Sequence, residues 1–239
     1  MEWKEARILV TGGSGGYGRG IAAVLKEAGA ELWITGRDTA KLEKTAAELG
    51  VHAIPADVTS GADWDRVMRE IGALDVLVNN AGSGGRIAPV VEQSDEEIIR
   101  TIETNLTGAL LGCRRAAAVM MRRKRGTIIN IASVCALYAW PAWSVYTAAK
   151  AGLAKFSHGL YTELRPWGIR VSCVYPSWGQ TDFNHAAGIR GAAEDPKLAA
   201  RCISPEALGK LIRSILEQPD YLAVPDVTLQ PVIQEISPM

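Results

Sequence analysis

The sequence predicts one doubly wound α/β domain, a parallel sheet covered by helices on both faces, over residues 1–239. Three observations predict it. Short runs that are apolar on consecutive residues alternate with longer segments whose apolar residues recur every three or four positions. A glycine-rich turn joins the first such run to the first helical segment. The composition, 48% hydrophobic and 22% charged with 24 Gly and 11 Pro, is that of an ordinary globular chain, long enough to bury a core without disulfide or metal support.

The elements follow in order. Ile8-Leu9-Val10 is the first strand, apolar without alternation because a parallel strand covered on both faces has no solvent side. A helix over 16–28 follows, then a strand at Leu32-Trp33-Ile34 and a helix over 39–49. A strand over 51–54 precedes a helix over 60–71 that opens on the capping residue Ser60. Val76-Leu77-Val78 is the fourth strand, and the apolar period over 94–121 predicts one long helix. A strand over 127–131, a helix over 144–165 and a strand over 171–175 complete the regular rhythm. Residues 177–203 then mix Gly, Pro, His and scattered charge before a Ser-capped helix over 204–216 and a last strand near 227–231. So long an irregular stretch inside a compact domain is uncommon unless it works, so 177–203 reads as a lid or substrate loop, with an ordinary surface excursion as the alternative.

Composition also excludes partners. Twenty-six Lys plus Arg balance 26 Asp plus Glu, which argues against a dedicated nucleic-acid or anionic-membrane binder; Arg122-Arg123-Lys124-Arg125 is the local exception. Cys113, Cys135, Cys173 and Cys202 lie far apart without CxxC or paired-His spacing, which excludes the familiar zinc patterns and leaves four reduced thiols in or near the core. The charged start Met-Glu-Trp-Lys-Glu-Ala-Arg has no apolar signal region, so a cytoplasmic protein is expected. The longest apolar stretch, 131–145, is interrupted by Ser133, Pro141 and Ser144 and falls short of the roughly 20 residues a membrane helix needs.

Directly after the first strand comes Thr11-Gly12-Gly13-Ser14-Gly15-Gly16-Tyr17-Gly18. Glycines at such a turn let the backbone approach a pyrophosphate without Cβ atoms, while the helix N-terminus offers N–H groups to the anion. The turn therefore predicts a dinucleotide. Asp38 stands 20 residues after Gly18, where a ribose-binding carboxylate is sought, but the tip of strand two reads Ile34-Thr35-Gly36-Arg37, with Gly at the selecting position. Asp38 is then the cap of helix two. Arg37 beside Gly36 favours NADP over NAD by pairing with a 2′-phosphate, the alternative for Arg37 being a solvated surface charge.

The sharpest chemical signal is Tyr146-Thr-Ala-Ala-Lys150, whose i, i+4 spacing puts a phenol and an ammonium on one helix face. A nearby cation favours the phenolate and matches the phenol to acid–base work near neutrality. Ser133 ends the fifth strand 13 residues before Tyr146, and Asn105 lies within the long fourth helix. Ligands of open α/β sheets bind beyond the carboxyl ends of strands, where the glycine turn and Ser133 both fall.

With these motifs the sequence resembles the short-chain dehydrogenase/reductase family, through Thr11-Gly12-xxx-Gly16-x-Gly18, Asp57-Val58, Asn79-Asn80-Ala81-Gly82, Asn105, Ser133, Tyr146-xxx-Lys150 and Pro176 with Thr181. The resemblance implies a single-domain Rossmann fold with seven strands, an Asn105-Ser133-Tyr146-Lys150 tetrad and commonly a homotetramer. It also implies that Asp57 and Val58 border the adenine, that Asn80, Ala81 and Gly82 line the cofactor cleft with Gly12, Ser14 and Gly16, and that Thr181 meets the nicotinamide carboxamide. On the residues alone, Asp57 also reads as a helix cap and 79–82 as a strand-ending turn. In the mechanism the resemblance implies, Tyr146 protonates the developing alkoxide, Ser133 hydrogen-bonds the same oxygen, Lys150 lowers the Tyr146 pKa and binds the nicotinamide ribose, and Asn105 holds a water relaying protons to Lys150. Two departures from the pattern stand out: Ser177 where Gly usually follows Pro176, and Tyr17 where a small aliphatic residue usually sits.

Trp140, Trp143 and Tyr138 crowd the segment before Tyr146 and Trp178 opens the irregular stretch, which predicts apolar walls and a carbonyl or alcohol substrate carrying a hydrophobic or flat group. Arg190 and the basic run offer the alternative of a 3-oxoacyl thioester on an acyl carrier, and His185 is a weaker candidate substrate contact. Two other classes remain to be distinguished: an NADP-binding regulator without turnover, which has no need of Tyr146 with Lys150, and a scaffold, which has no need of the glycine turn.

Overall fold

The computed structural model describes residues 2–189, 191–192 and 195–235. It has seven parallel strands, β1 Arg7–Thr11, β2 Glu31–Gly36, β3 His52–Pro55, β4 Val76–Asn79, β5 Gly126–Ile131, β6 Ile169–Pro176 and β7 Asp226–Leu229, in the order β3-β2-β1-β4-β5-β6-β7. The chain winds one way from β1 and the other way from β4, so the switch point lies between these two strands. This is the seven-stranded Rossmann-type sheet that the resemblance implies.

Alternate strand residues feed two cores, which is why the strands are apolar throughout. Ile8 and Val10 pack with Ile34, Val78 and Ile131 under α1 (Gly16–Glu27), α2 (Thr39–Leu49) and, later in the chain, the helix Pro205–Leu216. Leu9 between them faces the other side, with Trp33, Leu77 and Ile128 under α3 (Gly61–Ile71) and the helices Gly108–Arg123 and Ser144–Leu164. Burial of this kind stabilises by about 1.5–3 kcal/mol per large side chain, which sets the sheet's register.

The segment expected to be one helix over 94–121 is interrupted. Ser94 opens α4 (Asp95–Ile102) with a capping box in which Glu97 reciprocates, but Glu103–Thr107 widens into a π turn before α5 (Gly108–Arg123) begins. The cause is local: the Asn105 side-chain amide donates to the carbonyl of Thr101 at 2.9 Å, inserting a side chain into the helical ladder. After β5 comes α6 (Ser144–Leu164), and after β6 come the short α7 (Phe183–Ala186) and α8 (Pro196–Ala199), then α9 (Pro205–Leu216), capped by Ser204.

Arg122–Arg125 ends α5 at the N-terminal edge of the sheet, away from the strand tips, where Arg123 and Arg125 pair with Asp75 at 2.9 and 3.5 Å. The run is thus partly neutralised by a carboxylate and lies at the wrong end of the sheet to receive an acyl carrier at the cleft. All four cysteines are buried, and no disulfide joins them among the described residues. Among the described residues no helix is long and apolar enough to cross a membrane, and no three His, Cys, Asp or Glu side chains gather to hold a metal.

Candidate active site

At the carboxyl ends of β1, β4 and β5 lies a cavity of about 850 Å³. Its floor is the glycine turn. Thr11 Oγ1 accepts the N–H groups of Asn80 and Ala81, each at 3.0 Å, and the Asn80 amide returns two bonds to the carbonyls of Thr11 and Gly12 at 3.0 and 3.3 Å. The tips of β1 and β4 are thereby stitched together across the switch point. Gly12 sits at φ +65°, and a Cβ on Gly18 would lie 2.1 Å from the Gly12 carbonyl, so only glycine lets α1 pack this tightly under the turn. No side chain caps α1 at Gly15, which leaves its first-turn N–H groups to meet an anion.

Gly12, Ser14, Gly16, Tyr17, Asn80, Ala81 and Gly82 line the cavity, whereas Gly18 works from beneath it. At the far end, Gly36 and the exposed Arg37 line the wall, and Arg37 has no ion-pair partner among the described residues. Asp38 is the cap of α2, its carboxylate accepting the Lys41 N–H at 3.0 Å. Lys41 escaped the sequence reading. Its Nζ comes within 3.1 Å of where a Cβ on Gly15 would stand, giving a second cation beside the turn that only the docking of α2 reveals. Asp57 and Val58 line the same end; the Asp57 carboxylate accepts both the N–H and the hydroxyl of Thr59 at 2.9 Å, shaping the turn, while the cap of α3 is Ser60. An arginine with no ion-pair partner among the described residues, a lysine beside it and a Cβ-free cradle fit a phosphorylated dinucleotide.

The structure brings Asn105, Ser133, Tyr146 and Lys150 to one wall. Ser133, in extended backbone past the end of β5, accepts the Cys135 N–H at 3.2 Å and stands beside Tyr146, where its hydroxyl favours the charged form of the phenol. Lys150 Nζ donates to the carbonyl of Ile131 at 2.9 Å and lies 5.8 Å from the Tyr146 ring centre. Burial lowers the Lys150 pKa to about 8 and pushes the Tyr146 phenol well above its ordinary value, with Cys135 adding and Ser133 opposing. Desolvation is the largest influence on the Tyr146 phenol, so burial holds its pKa above the ordinary value even beside the Lys150 ammonium.

Asn105 is buried, its amide donating to the carbonyls of Ser83 (2.8 Å) and Thr101 (2.9 Å) while its oxygen accepts the Ser83 N–H at 3.2 Å. It anchors the 82–84 wall and retains only acceptor capacity for a water. Pro176 and Thr181 line the cavity, Thr181 close to Gly16. Trp143 and Phe183 stack with ring centres 6.4 Å apart, and both meet the Tyr146 ring edge-on at 5.7 and 5.5 Å. Phe183 and Gln234, both lining residues, carried no sequence signal, being an aromatic within an irregular stretch and an amide near the end. Trp140 and Trp178 line the cavity, but Tyr138 and the exposed His185 do not. Arg190 lies outside the described residues.

Residues 6–190 match the family profile of the short chain dehydrogenases. Serine 3-dehydrogenase of Agrobacterium fabrum is 30% identical over 241 residues, covering 96% of this chain and 95% of the relative. A serine dehydrogenase in its closed form with NADP+ superposes with a TM-score of 0.88 at 27% identity, over 98% of each chain. An alcohol dehydrogenase of the archaeon Thermococcus sibiricus with 5-hydroxy-NADP gives 0.85 at 26% identity, over 97% of this chain and 99% of that one. A glycine turn stitched across the switch point, a Ser-Tyr-Lys wall beside it and a profile match over most of the chain make this protein a member of the short-chain dehydrogenase/reductase family, oxidoreductases that act on CH–OH groups with a nicotinamide dinucleotide.

Proposed function

We propose that the chain is an NADP-dependent oxidoreductase interconverting a carbonyl and a secondary alcohol, with Asn105, Ser133, Tyr146 and Lys150 as its working residues. The observation that carries this reading is the opening of Ser133, Tyr146 and Lys150 into the same cavity as the glycine turn. The bound dinucleotide supplies or accepts the hydride. Arg37 and Lys41 hold its 2′-phosphate, the turn and the α1 N-terminus hold the pyrophosphate, Asp57 and Val58 border the adenine, and Pro176 and Thr181 face the nicotinamide.

In the reductive direction the Tyr146 hydroxyl gives its proton to the oxygen of the substrate carbonyl as negative charge develops there. Ser133 donates a second hydrogen bond to that oxygen. Burial keeps Tyr146 protonated at neutral pH, which suits an acid. Lys150, charged at pH 7 with a pKa of about 8, stabilises the phenolate left behind and binds ribose hydroxyls. Asn105 is a positioning residue that holds the 82–84 wall and, through its oxygen, a water leading to Lys150. Trp140, Trp143, Trp178 and Phe183 favour a substrate with a flat apolar group, and 177–203 serves as the substrate lid.

The test is NADPH oxidation against a panel of aldehydes, ketones and 3-oxoacyl thioesters, with Tyr146→Phe as control. Turnover that the variant loses supports the reading, and an enzyme that binds NADPH without any turnover supports the regulator instead. We infer a homotetramer, supported by the small exposed residues Ala148 and Gly159 on α6, the latter with nothing within 4 Å of its Cβ position. Light scattering giving four times 25.6 kDa supports it, and a monomer rejects it.

A further inference from the structure

The two departures from the family pattern, Tyr17 and Ser177, touch one another. The Tyr17 hydroxyl donates to the Ser177 carbonyl at 3.5 Å, and a Cβ on Gly179 would lie 2.1 Å from that hydroxyl, so Gly179 is the gap into which the ring fits. On the other side the Ser177 hydroxyl donates to Gln234 Oε1, and the Trp178 N–H points to the same oxygen at 3.4 Å. Gln234 comes from the C-terminal segment, is 7% exposed, and lines the cavity. Beyond it, Ile203 pairs with the strap through Ile203 N–H to Trp178 O at 2.8 Å and Gln180 N–H to Ile203 O at 2.9 Å. The strap 177–180 is therefore gripped by the dinucleotide turn, by the C-terminal segment and by Ile203, which precedes the Ser204 cap of α9. It carries Trp178 and leads into Phe183, two members of the aromatic wall.

We propose that Tyr17 and Gln234 are positioning residues that clasp the strap at Ser177 and so fix the width of the substrate mouth, making this pair a determinant of which carbonyl compounds enter. The chemistry follows from satisfaction: Gln234 Oε1 is the acceptor for two donors of the strap, and a buried acceptor removed leaves both donors seeking water, which pulls the strap outward. The proposal rests on the reductase reading above.

The experiment uses the full chain with two variants, Gln234→Leu, of similar bulk without an acceptor, and Tyr17→Phe, which removes one hydroxyl. With NADPH and a graded series of neutral aldehydes, propanal, benzaldehyde and 2-naphthaldehyde, Gln234→Leu should raise the aldehyde KM about tenfold with a far smaller change in kcat, and should narrow the discrimination between small and bulky aldehydes. Tyr17→Phe should move KM the same way by about threefold, and the double variant should fall short of the product of the two, because both act on one strap. An arm without turnover uses trypsin on the protein alone, cutting after Lys197 and Arg201: cleavage should quicken by roughly tenfold in Gln234→Leu at unchanged Tm. Unchanged KM and cleavage, a loss confined to kcat, or multiplicative effects would overturn the clasp. A parent enzyme that turns over none of the aldehydes overturns the reductase reading instead, and the trypsin arm still decides the clasp.

Discussion

Lys150 Nζ donates a 2.9 Å hydrogen bond to the carbonyl of Ile131, so the last residue of β5 holds the cation while Ser133, two residues on, stands beside the phenol. Strand and helix thus fix the two working groups against a single piece of backbone.

Burial of Lys150 has a stability consequence with a definite sign. Its folded pKa of about 8 lies below the unfolded value, so between these values the unfolded chain binds more protons and stability rises with pH. Below about 8 the cost of the buried charge is fully present. Lys150→Met should therefore stabilise the protein at pH 7, by about 1–2 kcal/mol after loss of the Ile131 hydrogen bond, and by less at pH 10. Urea melts at the two pH values check this; a variant less stable at pH 7 than the parent rejects it. The same titration predicts that kcat/KM for NADPH falls as pH rises through about 8.

Tyr146→Phe should reduce turnover by about 10²–10⁴-fold while NADPH titration by fluorescence returns nearly the parent affinity, since one hydroxyl and no charge is deleted. More than roughly a tenth of the parent rate remaining would end the assignment of Tyr146 as the acid.

Cofactor choice should follow charge at the tip of β2. Arg37→Ala and Lys41→Ala should each weaken NADPH by roughly 10- to 100-fold and leave NADH nearly unchanged, a charge-assisted contact being worth about 1.5–3 kcal/mol. Gly36→Asp should reverse the preference. Parallel titrations with both cofactors decide the matter, and equal weakening of both would assign the two cations to packing alone.

Behind the site runs a buried polar chain: Asn79 donates to Asn130 at 2.9 Å, and Asn130 to Ser157 at 2.8 Å, with Ser157 donating to the Leu153 carbonyl at 2.7 Å. Asn130 is fully buried. Asn130→Ala breaks the chain at its middle, taking one partner from Asn79 and one from Ser157 although Asn79 keeps the Ala109 carbonyl and Ser157 the Leu153 carbonyl, and chemical denaturation should show a loss of about 1–3 kcal/mol. A loss below about 0.5 kcal/mol would mean that the chain contributes little.

The legible parts of this molecule are those in which a local pattern has one physical meaning. Consecutive apolar residues at 8–10 and 76–78 mean a strand covered twice, the glycines at 12–18 mean close backbone approach, and Tyr146 with Lys150 share a helix face by spacing alone. Lys41, Phe183 and Gln234 were illegible because each becomes a neighbour of the cavity only after its segment docks. The balance between Tyr146 and Lys150 was illegible for another reason: spacing gives proximity, whereas pKa depends on how much water burial removes.

The π turn at Glu103–Thr107 makes the site depend on a count as well as on identities. Each residue advances an α-helix by about 100°, so the widened turn sets α4 and α5 out of angular phase by that amount. That offset lets Asn105 face the 82–84 wall while Cys113, Ala116 and Met120 still face the sheet. Taking out one residue between Ile102 and Gly108 would bring the two helices back into phase and turn either the amide or the apolar stripe away from its partner. The stretch can change its letters more easily than its length.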